Sequence, residues 1–176
     1  SELLQLNKIA KILRNKRMKA GSINFNTPEV KFELDANGIP LNVKIKKLLE
    51  ANNLIEEYML LANQIVAKHI NLPSEGIFPF VYRVHDLPDT EKIGEFALFV
   101  KSLGYSFDPA AANKSMQFQI LFDSVKGKEE EAIINEVAIR SMAKAVYSTQ
   151  NIGHYGLGFR YYAHFTSPIR RFADLA

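Results

Sequence analysis

Apolar side chains recur along this chain at two different periods, and the change of period requires a mixed fold. Leu6, Ile9, Ile12 and Leu13 are spaced by three and four, the repeat of one helix face. A helix over residues 1 to 20 follows, closed by Gly21 in the left-handed conformation that glycine adopts without strain. Val30, Phe32 and Leu34, then Leu41, Val43 and Ile45, alternate instead by two around Asp35-Ala36-Asn37-Gly38, which predicts a β-hairpin. The helical period returns at Leu54, Ile55, Tyr58, Met59, Leu61, Ala62 and Ile65. That broad face predicts a long, largely buried helix from about Leu54 to Ile70, capped by Asn52 or Asn53.

The second half continues the alternation of element types. Phe78 to Val84 is aromatic and β-branched, which predicts a short strand. Pro88-Asp89-Thr90-Glu91 carries helix-start chemistry, with Phe96, Phe99, Val100 and Leu103 as the core face and Gly104 as the stop. Two more helices are expected at Ser115 to Val125 and Glu129 to Val146, divided near Gly127. Gly153 to Thr166 reads as extended, and Ser167-Pro168 as the entry to another helix. The expected architecture is α+β, mostly helical with a β-hairpin and short mixed strands, in one unit spanning 1–176 and truncated at both ends.

Composition removes several function classes. The 176 residues are 47% hydrophobic and 23% charged, the balance of a chain that buries a core. With no cysteine, disulfides, thiolate metal sites and cysteine nucleophiles are excluded. No apolar run approaches the roughly 20 residues that span a bilayer, so no membrane partner and a cytoplasmic location are expected. The formal charge is +3, and its excess lies in the first helix, where Lys8, Lys11, Arg14, Lys16, Arg17 and Lys19 face the single acid Glu2. Two readings follow: a solvated basic face, or one wall of a groove for phosphates.

The densest chemistry lies near the carboxyl end, in Tyr161-Tyr162-Ala163-His164-Phe165-Thr166-Ser167-Pro168-Ile169-Arg170-Arg171-Phe172. Forked guanidinium donors suit phosphate oxygens and aromatic faces stack on bases, a pairing found in channels for single-stranded nucleic acid. The competing reading packs the rings in the core and pairs the arginines with Asp174 and other acids. His164 and Ser167 do not form a persuasive nucleophilic dyad, because residues this close to a helix start bond locally, Ser167 as an N-cap.

The run Tyr162 to Leu175 resembles the signature of the ribonuclease II and ribonuclease R family, whose catalytic domain is the RNB domain. Upstream, Gly21-Ser22-Ile23-Asn24-Phe25, Leu54 to Asn63, Arg83-Val84-His85-Asp86 with Pro88 and Thr90-Glu91, and Arg140-Ser141-Met142 resemble the bacterial ribonuclease R pattern in order. The resemblance covers essentially all residues as the C-terminal part of an incomplete RNB domain. It implies a processive 3′-to-5′ exoribonuclease that releases nucleoside 5′-monophosphates from single-stranded RNA with Mg²⁺, flanked by OB-type RNA-binding domains. Arg170 matches the arginine at the scissile phosphate. Arg171 is expected to hold an adjacent phosphate or a carboxylate, and Ser167 is expected among the substrate-binding residues. Phe25 matches an aromatic that stacks on the terminal base, and Glu57, or its neighbour Glu56, a helix glutamate near the ribose. Asp174, one turn after Arg170, is expected to orient it.

The family holds its metal with an aspartate cluster, whereas the aspartates here are isolated at 35, 86, 89, 108, 123 and 174. The metal ligands are therefore expected upstream of Ser1, and this chain alone is expected to be inactive. The alternative is a catalytically inactive member that binds RNA or a protein.

Overall fold

A computed structural model describes residues 1–25, 30–45, 48–71, 79–111 and 114–166. Three helices form the main core: α3 (Thr90–Ser102), α4 (Lys114–Val125) and α5 (Glu131–Ser141). Ile93, Phe96 and Val100 of α3 repeat at helical spacing and meet Phe118, Leu121 and Val125 of α4 and Ile134 and Ala138 of α5, all essentially inaccessible to solvent. Phe96 stacks on Phe118 with centroids 5.4 Å apart, and Phe107 meets Phe96 edgewise at 5.0 Å and Phe118 at a tilt at 4.8 Å. Burial of each ring contributes about 1.5–3 kcal/mol. Asp89 starts α3 as anticipated, accepting the Glu91 and Lys92 N–H groups, two donors that the first turn of a helix leaves unpaired.

The basic first helix, α1 (Glu2–Lys19), lies against α2 (Glu50–Ile70). Gly21 follows with φ +98°, and a Cβ there would sit 2.5 Å from Ser115 Oγ, so both conformation and space demand glycine. The anticipated hairpin is present as β1 (Val30–Leu34) and β2 (Pro40–Ile45), with Val30 opposite Ile45 and Phe32 opposite Val43. Its turn is held by Asp35, whose Oδ1 accepts from the N–H groups of Asn37 and Ile39, an Asx-type arrangement. A second pair, β3 (Tyr82–Val84) and β4 (Val146–Ser148), is antiparallel. The whole is a mostly helical α+β fold.

Six expectations are corrected. The α1 stripe does not cover a core: Leu6, Ile9 and Ile12 are all exposed, while Ala10 and Arg17 are buried. The helix presents to α2 the face that carries an ion-pairing arginine. α2 begins at Glu50 rather than Leu54, because Asn52 sits inside the first turn and accepts the Leu49 N–H, which is the return half of a capping box. Nor is α2 largely buried, since only Glu57, Leu60, Asn63 and Ala67 are, and Ile55 and Ile65 are over half exposed. α5 stops at Ser141 rather than Val146: Met142 is extended (ψ 153°), and Val146 pairs with Val84 in β4, where a β-branched residue suits the pleat. Gly153 to Thr166 is not extended but folds through a 3₁₀ turn at Tyr155–Leu157, permitted by positive φ at Gly153 and Gly158. Phe78 lies outside the described residues, and the strand proper starts at Tyr82.

Candidate functional site

α2 carries two polar residues on its buried stripe, and each fastens a different loop. The stripe runs Glu57, Leu60, Asn63, Ala67, and a buried polar group needs partners. Glu57, 3% exposed, accepts from Arg17 Nη2 at 2.5 Å and Nε at 3.3 Å, and Arg17 is itself 7% exposed. The remaining arm of the guanidinium, Nη1, donates to Ser22 Oγ at 2.7 Å. Gln119 adds two donations, to the Met18 and Ser22 carbonyls at 2.8 and 2.7 Å, and the Ile23 N–H reaches Gly156 O at 2.9 Å. Gly21 to Ile23 is therefore held from α1, α4 and the 155–157 turn at once, with α2 acting on it through Arg17. Phe25 follows this segment, half-buried, with its ring tilted on Phe122 at 5.4 Å.

The second cluster surrounds His85 and His154, whose rings meet edge to face at 5.0 Å. His85 Nε2 lies 2.8 Å from the Ala143 carbonyl and must donate, while its Nδ1 accepts the Gly156 N–H at 3.0 Å. Both bonds together fix the neutral tautomer protonated on Nε2. A Cβ at Gly156 would approach that Nδ1 to 2.9 Å, so glycine is required there for space. Burial pushes His85 below its ordinary pKa against the opposing pull of the Ala143 carbonyl. His154 is lowered to about 4, first by burial and then by the neighbouring His85. Burial likewise raises Tyr155 to about 12. Tyr162 packs edgewise on both His154 and His164, at 5.2 and 5.7 Å, and His164 Nδ1 bonds the Tyr147 hydroxyl at 2.8 Å.

Of the residues singled out by sequence, Glu57 anchors Arg17 in the first cluster, and Phe25 packs on Phe122 of α4 just after the segment that this cluster holds. Between Glu56 and Glu57, it is Glu57 that points inward; Glu56 is a surface residue 3.6 Å from Arg17 Nη2. Ser167, Arg170, Arg171 and Asp174 lie outside the described residues. Lys11 pairs with Glu50 on the surface, and Arg17 is committed internally, so the basic face of α1 divides into a solvated part and one structural cation. Arg17 enters the sequence reading only as part of the basic face of α1, and Asn63 and Gln119 carry no role there. The available signal was a polar residue standing at an apolar position of a helix stripe.

The described residues do not fit a divalent metal site. Among them no group of three or more His, Asp or Glu side chains converges, and the aspartates serve locally: Asp35 in the hairpin turn, Asp89 as a cap, Asp108 accepting the Ala110 N–H. Among the described residues no helix is long and apolar enough to cross a membrane.

The model of the RNB domain family matches residues 1–176. The chain belongs to that family. It is 36% identical over 173 residues to ribonuclease R of Aquifex aeolicus, covering 98% of this chain and 24% of that protein. The solved structure of Mycoplasma genitalium RNase R in complex with ribose-methylated single-stranded RNA superposes with a TM-score of 0.86 at 25% identity, over 98% of this chain and 27% of the other. Yeast Ssd1, described as a pseudonuclease, shares the fold with a TM-score of 0.67 at 21% identity, over 99% of this chain and 22% of its own. This RNB chain thus spans about a quarter of the length of such relatives.

Proposed function

We propose that this chain is the C-terminal part of the catalytic domain of a longer, cytoplasmic, Mg²⁺-dependent exoribonuclease that degrades single-stranded RNA processively from its 3′ end, releasing nucleoside 5′-monophosphates. The observation that carries the proposal is the match of the RNB model to every residue from 1 to 176, supported by the superposition on a ribonuclease R that holds single-stranded RNA. In this reading Arg170 stabilises charge on the reacting phosphoryl group. Arg171 and Ser167 hold adjacent phosphates, and Asp174 orients Arg170. Phe25 stacks on the terminal base from its seat on Phe122. The metal ligands lie upstream of Ser1, and OB-type domains flank the catalytic domain.

Glu57 has two assignments that one variant separates. Glu57→Gln keeps the side-chain shape and removes its charge. A loss of discrimination between ribose and deoxyribose 3′ ends identifies a ribose contact. Unchanged discrimination with lowered stability identifies a glutamate that only anchors Arg17.

The test of the main reading is decay of 5′-labelled single-stranded RNA by the complete protein with and without Mg²⁺, with the 176-residue chain as the control. Progressive shortening by the complete protein alone supports the proposal. A second reading, an inactive family member that binds RNA, draws on the shared fold of a pseudonuclease; it predicts RNA retained at full length under the same conditions.

A further inference from the structure

Gln119 and Phe122 stand one turn apart on α4 and hold the same short segment by different means. Ser22 to Phe25 lies in no helix or strand, so side chains from other elements decide its course. The Gln119 amide carries two N–H donors, and its Nε2 lies 2.8 Å from the Met18 carbonyl and 2.7 Å from the Ser22 carbonyl. Met18 belongs to the last turn of α1, where carbonyls lack partners within the helix, and Ser22 lies beyond that helix. One amide therefore spans Gly21 and fixes the angle at which the chain leaves α1. Phe122, three residues after Gln119, seats the Phe25 ring, with centroids 5.4 Å apart and planes tilted by 59°. Residues so spaced share a helix face, so α4 references both the backbone leading to Phe25 and its ring to one rigid body. Phe25 packs at the edge of the main core and is half-buried rather than sealed within it.

The segment has other attachments: Arg17 Nη1 holds the Ser22 hydroxyl, and Gly156 O accepts the Ile23 N–H. Loss of the Gln119 donors thus leaves Ser22 to Phe25 attached, but with the Ser22 carbonyl released and its direction unset. We infer that Gln119 is a positioning residue for the substrate: it acts through Phe25 by setting where that ring meets the 3′-terminal base. The inference rests on the exoribonuclease reading and, within it, on Phe25 as the stacking residue. Every base offers a π-face, so a stack tolerates any sequence, but it needs the ring at a fixed offset from the base plane. A shifted Phe25 therefore costs on every 3′ end that carries a base and costs nothing on an end that has none.

The test uses the complete protein and two single-stranded RNAs that differ only in the last nucleotide, which is abasic in one. Release of that nucleotide is followed in a single turnover, and the readout is the ratio of the two rates in one preparation, which does not depend on how much of the protein is folded. Wild-type protein is expected to favour the base-bearing end about tenfold, within the range that one base–aromatic stack contributes. Gln119→Met keeps an unbranched side chain and removes both donors; it is expected to lower the ratio to about threefold, a partial loss of that stack. Phe25→Ala is expected to bring the ratio to about one. Adding Gln119→Met to Phe25→Ala should change the ratio no further, because two residues acting through one group are not additive. A ratio unchanged by Gln119→Met, whatever the absolute rates, overturns the positioning role while leaving the nuclease reading and the Phe25 stack intact. A wild-type ratio near one overturns Phe25 as the stacking residue and this role with it, and a complete protein that hydrolyses neither RNA overturns the nuclease reading as well.

Discussion

The two clusters on α2 do the same mechanical work with opposite electrostatics. At its N-terminal half an ion pair, Arg17 with Glu57, is sealed from solvent and secures the segment leading to Phe25. Toward its C-terminal half a neutral set, Asn63 with Tyr162 beside His154 and His85, secures the segment leading to Ser167. The charged lock depends on keeping both partners. The neutral lock depends on two imidazoles staying uncharged. Buried charge is costly when orphaned, whereas buried imidazole is costly when protonated.

The largest expected effect breaks the charged lock. Glu57→Ala should destabilise the fold by about 3 kcal/mol in chemical denaturation, since it leaves the buried Arg17 guanidinium with only the exposed Glu56 carboxylate, 3.6 Å away, to offset its charge. The paired variant Arg17→Met with Glu57→Leu should cost far less, because no charge remains to be desolvated. Equal losses in the two proteins would refute the comparison. Next in size is the pH response of the neutral lock. His154 titrates at about 4 in the folded state against about 6.5 in an unfolded chain, so the unfolded state binds more protons between those values. Stability is then complete above about pH 6.5 and falls as pH drops toward 4, by roughly 3 kcal/mol in total. His85, shifted in the same direction, steepens the fall. His154→Asn, whose Oδ1 replaces the Nδ1 that accepts the Leu157 N–H, should flatten the slope measured by denaturation between pH 7 and 4.5.

Smaller effects test places outside both locks. Asp89→Ala removes the cap of α3 and should cost about 1 kcal/mol, read from the denaturation midpoint. Glu33→Gln breaks an ion pair with Lys44 across the hairpin. Both partners are solvent-exposed, so the expected change is below about 1 kcal/mol and vanishes in high salt.

Much of the fold was legible because local rules and tertiary structure agree at particular residues. Asp89 caps, Gly21 reverses, and Asp35 to Gly38 turns the hairpin, each through chemistry contained within a few positions. The sequence period locates an element without deciding whether its apolar face is buried. Val30, Phe32 and Leu34 alternate as strand residues do, yet β1 and β2 are exposed on every residue. Leu6, Ile9 and Ile12 form a helical stripe that this chain leaves in solvent. The end of α5 was overrun because Val146 is drawn into a strand by Val84, 62 positions earlier, a pairing that no local signal announces. For the candidate site, the motif containing Glu57 and Asn63 was visible, but their partners Arg17, Tyr162 and Thr166 lie 40 to 103 positions away. A polar residue at a buried helix position shows that a partner is needed without saying which.

Single-stranded RNA labelled in its 3′-terminal nucleotide, mixed with the complete protein and Mg²⁺, should yield the label as a nucleoside 5′-monophosphate in the first turnover, and Arg170→Ala should delay that release by orders of magnitude. Label retained in intact or internally cut RNA, or release unaffected by Arg170→Ala in a folded protein, would contradict the account.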